Sequence, residues 1–159
     1  MLITPESLIV LAGALALALG LAGSAVGMGL AGSAGAATLS EEPGQLRNVI
    51  VLVSLPMTQT FYGLIILILM LTTVLPNLAE MEDPTGAGFS ALACGLIGGI
   101  AQFASSAYQG GVCASGISLL SKTKGKILTN AMMLAVFVEL LGVLGLVFTI
   151  MALNLLGLF

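Results

Sequence analysis

A carboxylate inside an apolar run is the residue of this chain whose chemistry asks first for an explanation. Glu139 lies between Ala131 and Met151, a stretch otherwise free of charge. A run of that length is a membrane-crossing helix. A carboxylate at the centre of such a helix costs about 2.5–3.5 kcal/mol on insertion scales, so it needs a partner, and an ion or proton site is the default reading.

Few other strongly polar side chains accompany it in the apolar runs: Thr58, Gln59, Gln102, Gln109 and Asn154. Their depths decide which of them can meet. Counting from Lys126, Glu139 lies ~20 Å along its helix at 1.5 Å per residue. Gln109 lies ~18 Å from Ser121, and Thr58 and Gln59 lie ~18–20 Å from Leu46, by the same rise. Three helices therefore bring polar groups to one level. Gln102 is two turns further on and Asn154 is near the far end, so both read as helix-to-helix or interface residues.

Leu55, Thr58, Gln59 and Tyr62 fall at i, i+3, i+4 and i+7, which is one helix face. Pro56 lacks a backbone donor and leaves the Leu52 carbonyl without its usual helical bond. Irregular backbone at membrane depth is tolerated where it lines a site. The donors are mostly oxygens: the Glu139 carboxylate, the amides of Gln59 and Gln109, the Thr58 hydroxyl and a backbone carbonyl. Oxygen suits hard cations. One carboxylate fits a monovalent ion, and the surplus of ligands favours Na+. A proton would need only Glu139 and one hydrogen-bond partner. The alternative role of Gln109, Thr58 and Gln59 is only to glue helices together. Tyr62 either closes the site with its hydroxyl or stands as an ordinary lipid-facing aromatic.

The elements that must position these groups are membrane helices. Of the 159 residues 58% are hydrophobic and 7% are charged, against about 25% charged in a soluble domain. Mean hydropathy is +1.19. There is no soluble domain to host nucleotide hydrolysis, and nothing suggests a nucleic-acid partner. Four apolar runs cover about 7–39, 46–75, 87–120 and 127–158, each above the ~20 residues a span needs. Arg47, Lys122, Lys124 and Lys126 lie in the first and third breaks, whereas Glu80, Glu82 and Asp83 lie in the second. The positive-inside rule then puts loops 40–48 and 121–126 in the cytoplasm and both termini outside. The first residues, Met1 to Ser7, carry no basic segment, so the first run reads as a retained span rather than a cleaved signal. Cys94 and Cys113 share one helix ~28 Å apart, too far for a disulfide. They read as small packing residues, and with no His in the chain a Cys–His metal site is excluded.

The second half repeats the first. A constant shift of 82 positions pairs Ser24 with Ser106, Gly29 with Gly111, Asn48 with Asn130, Gly63 with Gly145 and Ile68 with Ile150. The chain reads as two tandem helical hairpins of the same orientation, residues 1–80 and 81–159. Parallel repeats of this kind suit a ring or a bundle. Glu139 pairs with Met57, so only the second hairpin keeps the carboxylate. Runs 1 and 3 are dense in Gly, Ala and Ser, which lets helix backbones approach closely. Runs 2 and 4 are bulkier. Runs 1 and 3 are therefore expected to form a crowded inner layer, with 2 and 4 towards lipid.

With those residues in view, the chain resembles the duplicated proteolipid of V-type ATPases, the membrane component of the rotor ring. The stretch from Leu55 to Gly63, LPMTQTFYG, looks like the second-helix motif of the bacterial sodium-translocating members. The stretch from Tyr108 to Gly116, YQGGVCASG, looks like their third-helix motif. The resemblance implies an all-α membrane protein of four transmembrane helices assembling into a homo-oligomeric ring. It implies Na+ held by Glu139, Gln109, Thr58, Gln59 and the Leu55 carbonyl, with Tyr62 bonded to Glu139. Met57 stands where that motif commonly has Gly.

The implied partners are identical copies, lipid, a stator membrane subunit with an essential Arg, and a cytoplasmic central-stalk subunit. Lys122, Lys124, Lys126 and the Glu41–Arg47 loop are candidates to meet the stalk. The protein would be non-catalytic and would sit as a multi-pass protein in a bacterial cell membrane. The alternatives are the same rotor carrying H+, a small four-helix secondary transporter, and a purely structural membrane protein. Transporters of that kind carry their carboxylate in the first helix, which this chain does not.

Overall fold

The computed structural model describes residues 4–159; Met1, Leu2 and Ile3, part of the segment read above as a retained start, lie outside the described residues. Every regular element among the described residues is helical. Four helices are long and apolar enough to cross a membrane: α1 (Pro5–Glu41), α2 (Pro43–Glu80), α3 (Pro84–Ser118) and α4 (Leu128–Leu155).

Local chemistry sets most of the ends. Thr4 and Ser7 form a capping box and Pro5 opens α1, as Pro suits a first turn. Asp83 caps α3 by accepting from the Gly86 amide at 3.0 Å. The turn into α4 places Lys124 at φ 51° and Gly125 at φ 81°; glycine takes this left-handed region at no steric cost, whereas the lysine is in a conformation uncommon for a residue with a Cβ. At the end of α4, Leu158 bonds back to the Leu153 carbonyl and Gly157 to that of Asn154, a Schellman closure with glycine at φ 68°.

Two expected breaks are largely helical. Between α1 and α2 the helix is interrupted only at Glu42, because the residue before Pro43 is driven to an extended conformation. The second break is expected from Pro76 onward, yet helix persists to Glu80. A π-helical turn over Met70–Val74 precedes Pro76, with the Leu75 amide bonding to Met70. A shift of hydrogen-bond register of this kind is one way a helix absorbs a proline. At Pro56 the same helix tightens into a 3₁₀ turn over Leu55–Met57.

α1 and α3 pack directly on each other. A Cβ on Gly23 would lie 2.6 Å from the Phe103 Cα, and one on Gly110 would collide with the Gly27 backbone. The crowded α1–α3 layer is therefore present, with α2 and α4 flanking it. Cross-contacts join residues 79 apart (Thr38 to the Ile117 carbonyl) and 82 apart (Ser106 to Ser24), so the two parallel helices sit in the register of the internal repeat. Two apolar clusters fill the bundle. One contains Ile9, Ile66, Met70 and Leu153 near the termini; the other contains Val49, Leu52, Ile117 and Ala135 near the basic breaks. The buried polar side chains Gln59, Gln102, Ser105, Ser106 and Gln109 lie between them in sequence along each helix. The first and third breaks meet at one end, where Ser121 donates to Glu41 at 3.4 Å.

Candidate cation site

Helices α2, α3 and α4 converge on Glu139. The Tyr62 hydroxyl donates to Glu139 Oε1 at 3.3 Å, and Gln109 Nε2 donates to Oε2 at 3.3 Å. Tyr62 is thus bonded to Glu139 instead of standing apart as a lipid-facing aromatic. Gln59 Nε2 donates to Gln109 Oε1 at 2.8 Å and to Ser105 Oγ at 3.1 Å. Both amide hydrogens of Gln59 are committed, which turns its Oε1 to Thr58. The Thr58 hydroxyl lies 3.1 Å from that oxygen and 3.2 Å from the Leu55 carbonyl. Every site residue expected from the sequence is in this one hydrogen-bonded cluster.

Gln59 and Gln109 are fully buried, whereas Glu139, Thr58 and Tyr62 are half-buried. The carboxylate therefore reaches the edge of the bundle, with Gln59 and Gln109 behind it. The Pro56 kink puts two backbone carbonyls within side-chain reach: Thr58 meets that of Leu55, and Ser106 donates to that of Pro56 at 2.6 Å. Thr60 donates to Ser24 at 2.8 Å, and Ser24 Oγ is 3.3 Å from Ser106 Oγ, which ties α1 to the same level.

Gln102 and Asn154 stand apart from the site, as their depths required. Gln102 donates to the Gly142 carbonyl at 2.9 Å, and Asn154 is exposed at the end of α4. Tyr108, in the third-helix motif, is 74% exposed and points away from its neighbour Gln109. Cys94 and Cys113 are buried and unbridged.

Sequence reasoning missed the serines. Ser105 accepts from Gln59 and donates to the Val138 carbonyl at 2.9 Å. Ser106 could have been singled out, because the 82-residue shift pairs it with Ser24, its actual neighbour.

A family model for the ATP synthase C subunit matches the chain twice, over residues 11–70 and 92–152. The chain belongs to the ATP synthase C-subunit family. The two matches end 82 positions apart, the offset of the repeat. No curated protein matches the chain. Members of this family are non-catalytic, ion-translocating membrane proteins that form the homo-oligomeric rotor ring of a rotary ATPase, working against a stator subunit. In this member of the family the polar site occurs once. The shift that pairs Glu139 with Met57 also pairs Thr58, Gln59 and Tyr62 with Leu140, Leu141 and Leu144, and Gln109 with Gly27.

Proposed function

We propose that this rotor-ring protein is the duplicated proteolipid of a bacterial V-type ATPase, and that each copy carries one Na+ on Glu139. The observation that carries the reading is the supply of oxygens linked to a single carboxylate: Thr58 Oγ1, Gln59 Oε1 and the Leu55 carbonyl join Glu139 in one hydrogen-bonded cluster through Gln109. A proton site would have no use for so many. The bound cation neutralises Glu139 for its passage through lipid. At the stator the carboxylate meets an aqueous path and a fixed Arg, and the ion leaves. The protein lies with loops 40–48 and 121–126 in the cytoplasm, where the lysines and the Glu41–Arg47 loop meet the central stalk.

Each hairpin pair, residues 1–80 and 81–159, supplies one carboxylate per four helices. A ring of such chains moves fewer ions per turn than an unduplicated ring with as many helices. More free energy of ATP hydrolysis is then available per ion, which favours pumping.

The test is labelling of Glu139 by a carboxyl-reactive carbodiimide in the assembled ring. Added Na+ is expected to protect Glu139 at alkaline pH, where H+ is scarce. Absence of protection there would refute the sodium reading. The second reading, H+ on the same rotor, is favoured only by the Tyr62–Glu139 contact, since that pair alone would serve a proton.

A further inference from the structure

Three side chains of α3 donate to three carbonyls of α4. Gln102 reaches Gly142 at 2.9 Å, Ser105 reaches Val138 at 2.9 Å, and Gln109 reaches Ala135 at 3.3 Å. The donors stand at i, i+3 and i+7, which is one face of α3. Their acceptors bracket Glu139 on α4. The helix that carries the carboxylate is therefore pinned in rotation on both sides of it.

Ser105 differs from the other two, because it alone meets Gln59 without touching the carboxylate, and it is only 3% exposed. Its single hydrogen goes to Val138, which leaves its lone pairs for Gln59 Nε2 at 3.1 Å. A glutamine amide has a donor end and an acceptor end, and the neighbours decide which way it points. Ser105 and Gln109 both accept, so the donor end faces them and Oε1 faces Thr58. Removing the Ser105 acceptor leaves a buried amide hydrogen unpaired and leaves Gln109 Oε1 alone to keep the group from turning over. A turned amide offers N–H to the cation in place of oxygen. Gly142 makes the arrangement possible, because a Cβ there would lie 3.0 Å from Ser105 Oγ and 2.9 Å from Gln102 Oε1.

We propose that Ser105 is a positioning residue that holds the Gln59 amide oxygen towards the ion, and so sets the preference of the site for Na+ over H+. It acts through Gln59, and the proposal rests on the sodium reading above.

The test uses carbodiimide labelling of Glu139 in the assembled ring, titrated with Na+ at alkaline pH and, separately, with pH in the absence of Na+. Ser105→Ala is expected to raise the Na+ concentration for half-protection about tenfold, the effect of losing one hydrogen bond at a buried amide. Its pH midpoint without Na+ moves by a few tenths of a unit at most, because Gln59 does not touch Glu139. Ser105→Cys keeps the volume but accepts weakly; it falls between wild type and Ala, and it carries the test if the alanine variant does not assemble. Half-protection at the wild-type concentration in both variants overturns the proposal. A parallel shift of both titrations also overturns it, since that is general loosening of the site. A wild-type ring that Na+ does not protect overturns the sodium reading and this proposal together, a result distinct from either of those.

Discussion

Two glycines six residues apart on α1 should respond to the same substitution with opposite signs. A Cβ on Gly23 would lie 2.6 Å from the Phe103 Cα, 2.7 Å from its carbonyl oxygen and 3.0 Å from its carbonyl carbon. All three are backbone atoms of α3, so no side chain can swing aside. Restoring an ordinary contact of 3.4 Å or more requires α1 and α3 to part by about 0.8 Å. Overpacking of this kind costs about 1–3 kcal/mol, and the upper end applies where only whole helices can move. Against it stands the gain of Ala over Gly inside a helix, up to about 1 kcal/mol. Gly23→Ala should therefore destabilise by about 2 kcal/mol. It should also disturb the Ser24, Ser106 and Pro56 contacts one residue away. At Gly29 a Cβ meets nothing within 4 Å, so Gly29→Ala should stabilise by up to about 1 kcal/mol. The measurement is reversible unfolding of protomers dispersed in detergent, so that contacts between copies do not enter. Equal stability of the two variants, or a Gly23→Ala protein as stable as wild type, would show that the α1–α3 contact is looser than this packing.

Glu139→Gln should abolish ATP-driven ion uptake into proteoliposomes and all carbodiimide labelling, while rings of normal mass still form. Tyr62→Phe removes one hydrogen bond to a carboxylate, so half-protection by Na+ should need about tenfold more ion, with ring assembly unchanged. Met57→Glu should add a carboxylate that Na+ does not protect, because its repeat equivalents of the ligands are Leu140, Leu141, Leu144 and Gly27; a second protectable carboxylate per chain would refute this. For topology, Lys122→Cys should react with an impermeant maleimide only from the cytoplasmic side and Thr85→Cys only from the other. Buried Cys94 and Cys113 should stay unlabelled until the protein is denatured.

Much of the site is legible in the sequence because membrane helices convert sequence separation into depth. A rise of 1.5 Å per residue is enough to bring Glu139, Gln109, Thr58 and Gln59 to one level and to exclude Gln102 and Asn154. Azimuth is harder to read than depth, which is why the sequence leaves Tyr62 open: its face depends on how α2 turns against α4. Helix ends are harder still. Glu41, Gln45 and Arg47 look like a loop by polarity, but a helix that projects into water keeps its backbone bonds and exposes polar side chains at no cost. Pro76 looks like a stop, and the π-helical turn ahead of it lets α2 continue. Ser106 is marked by its repeat partner Ser24, but Ser105 is invisible because Ser is also a small packing residue. Only a tertiary partner, such as Gln59 for Ser105, separates the two roles.

The asymmetry of the repeat goes deeper than one missing carboxylate. The polar groups Thr58 and Gln59 of the cluster come from the first hairpin, whereas Gln109 and Glu139 come from the second. Neither hairpin holds the site alone, so it exists only across the junction between them. The same junction recurs, by the 82-residue shift, wherever a second hairpin meets a following first one, and there every ligand position is apolar or glycine. Physical reasoning requires that they change together. A Gln109 left at membrane depth without Glu139 loses a buried hydrogen-bond partner, and a Gln59 left without Gln109 does the same, at about 1–3 kcal/mol each. A carboxylate left without them carries the full cost of an unpaired charge in lipid. A polar set that is complete at one junction and absent at the other avoids both penalties. That is why the Gln59–Gln109–Glu139 chain behaves as a unit, and why adding one acidic residue to the apolar junction should not make a second ion site.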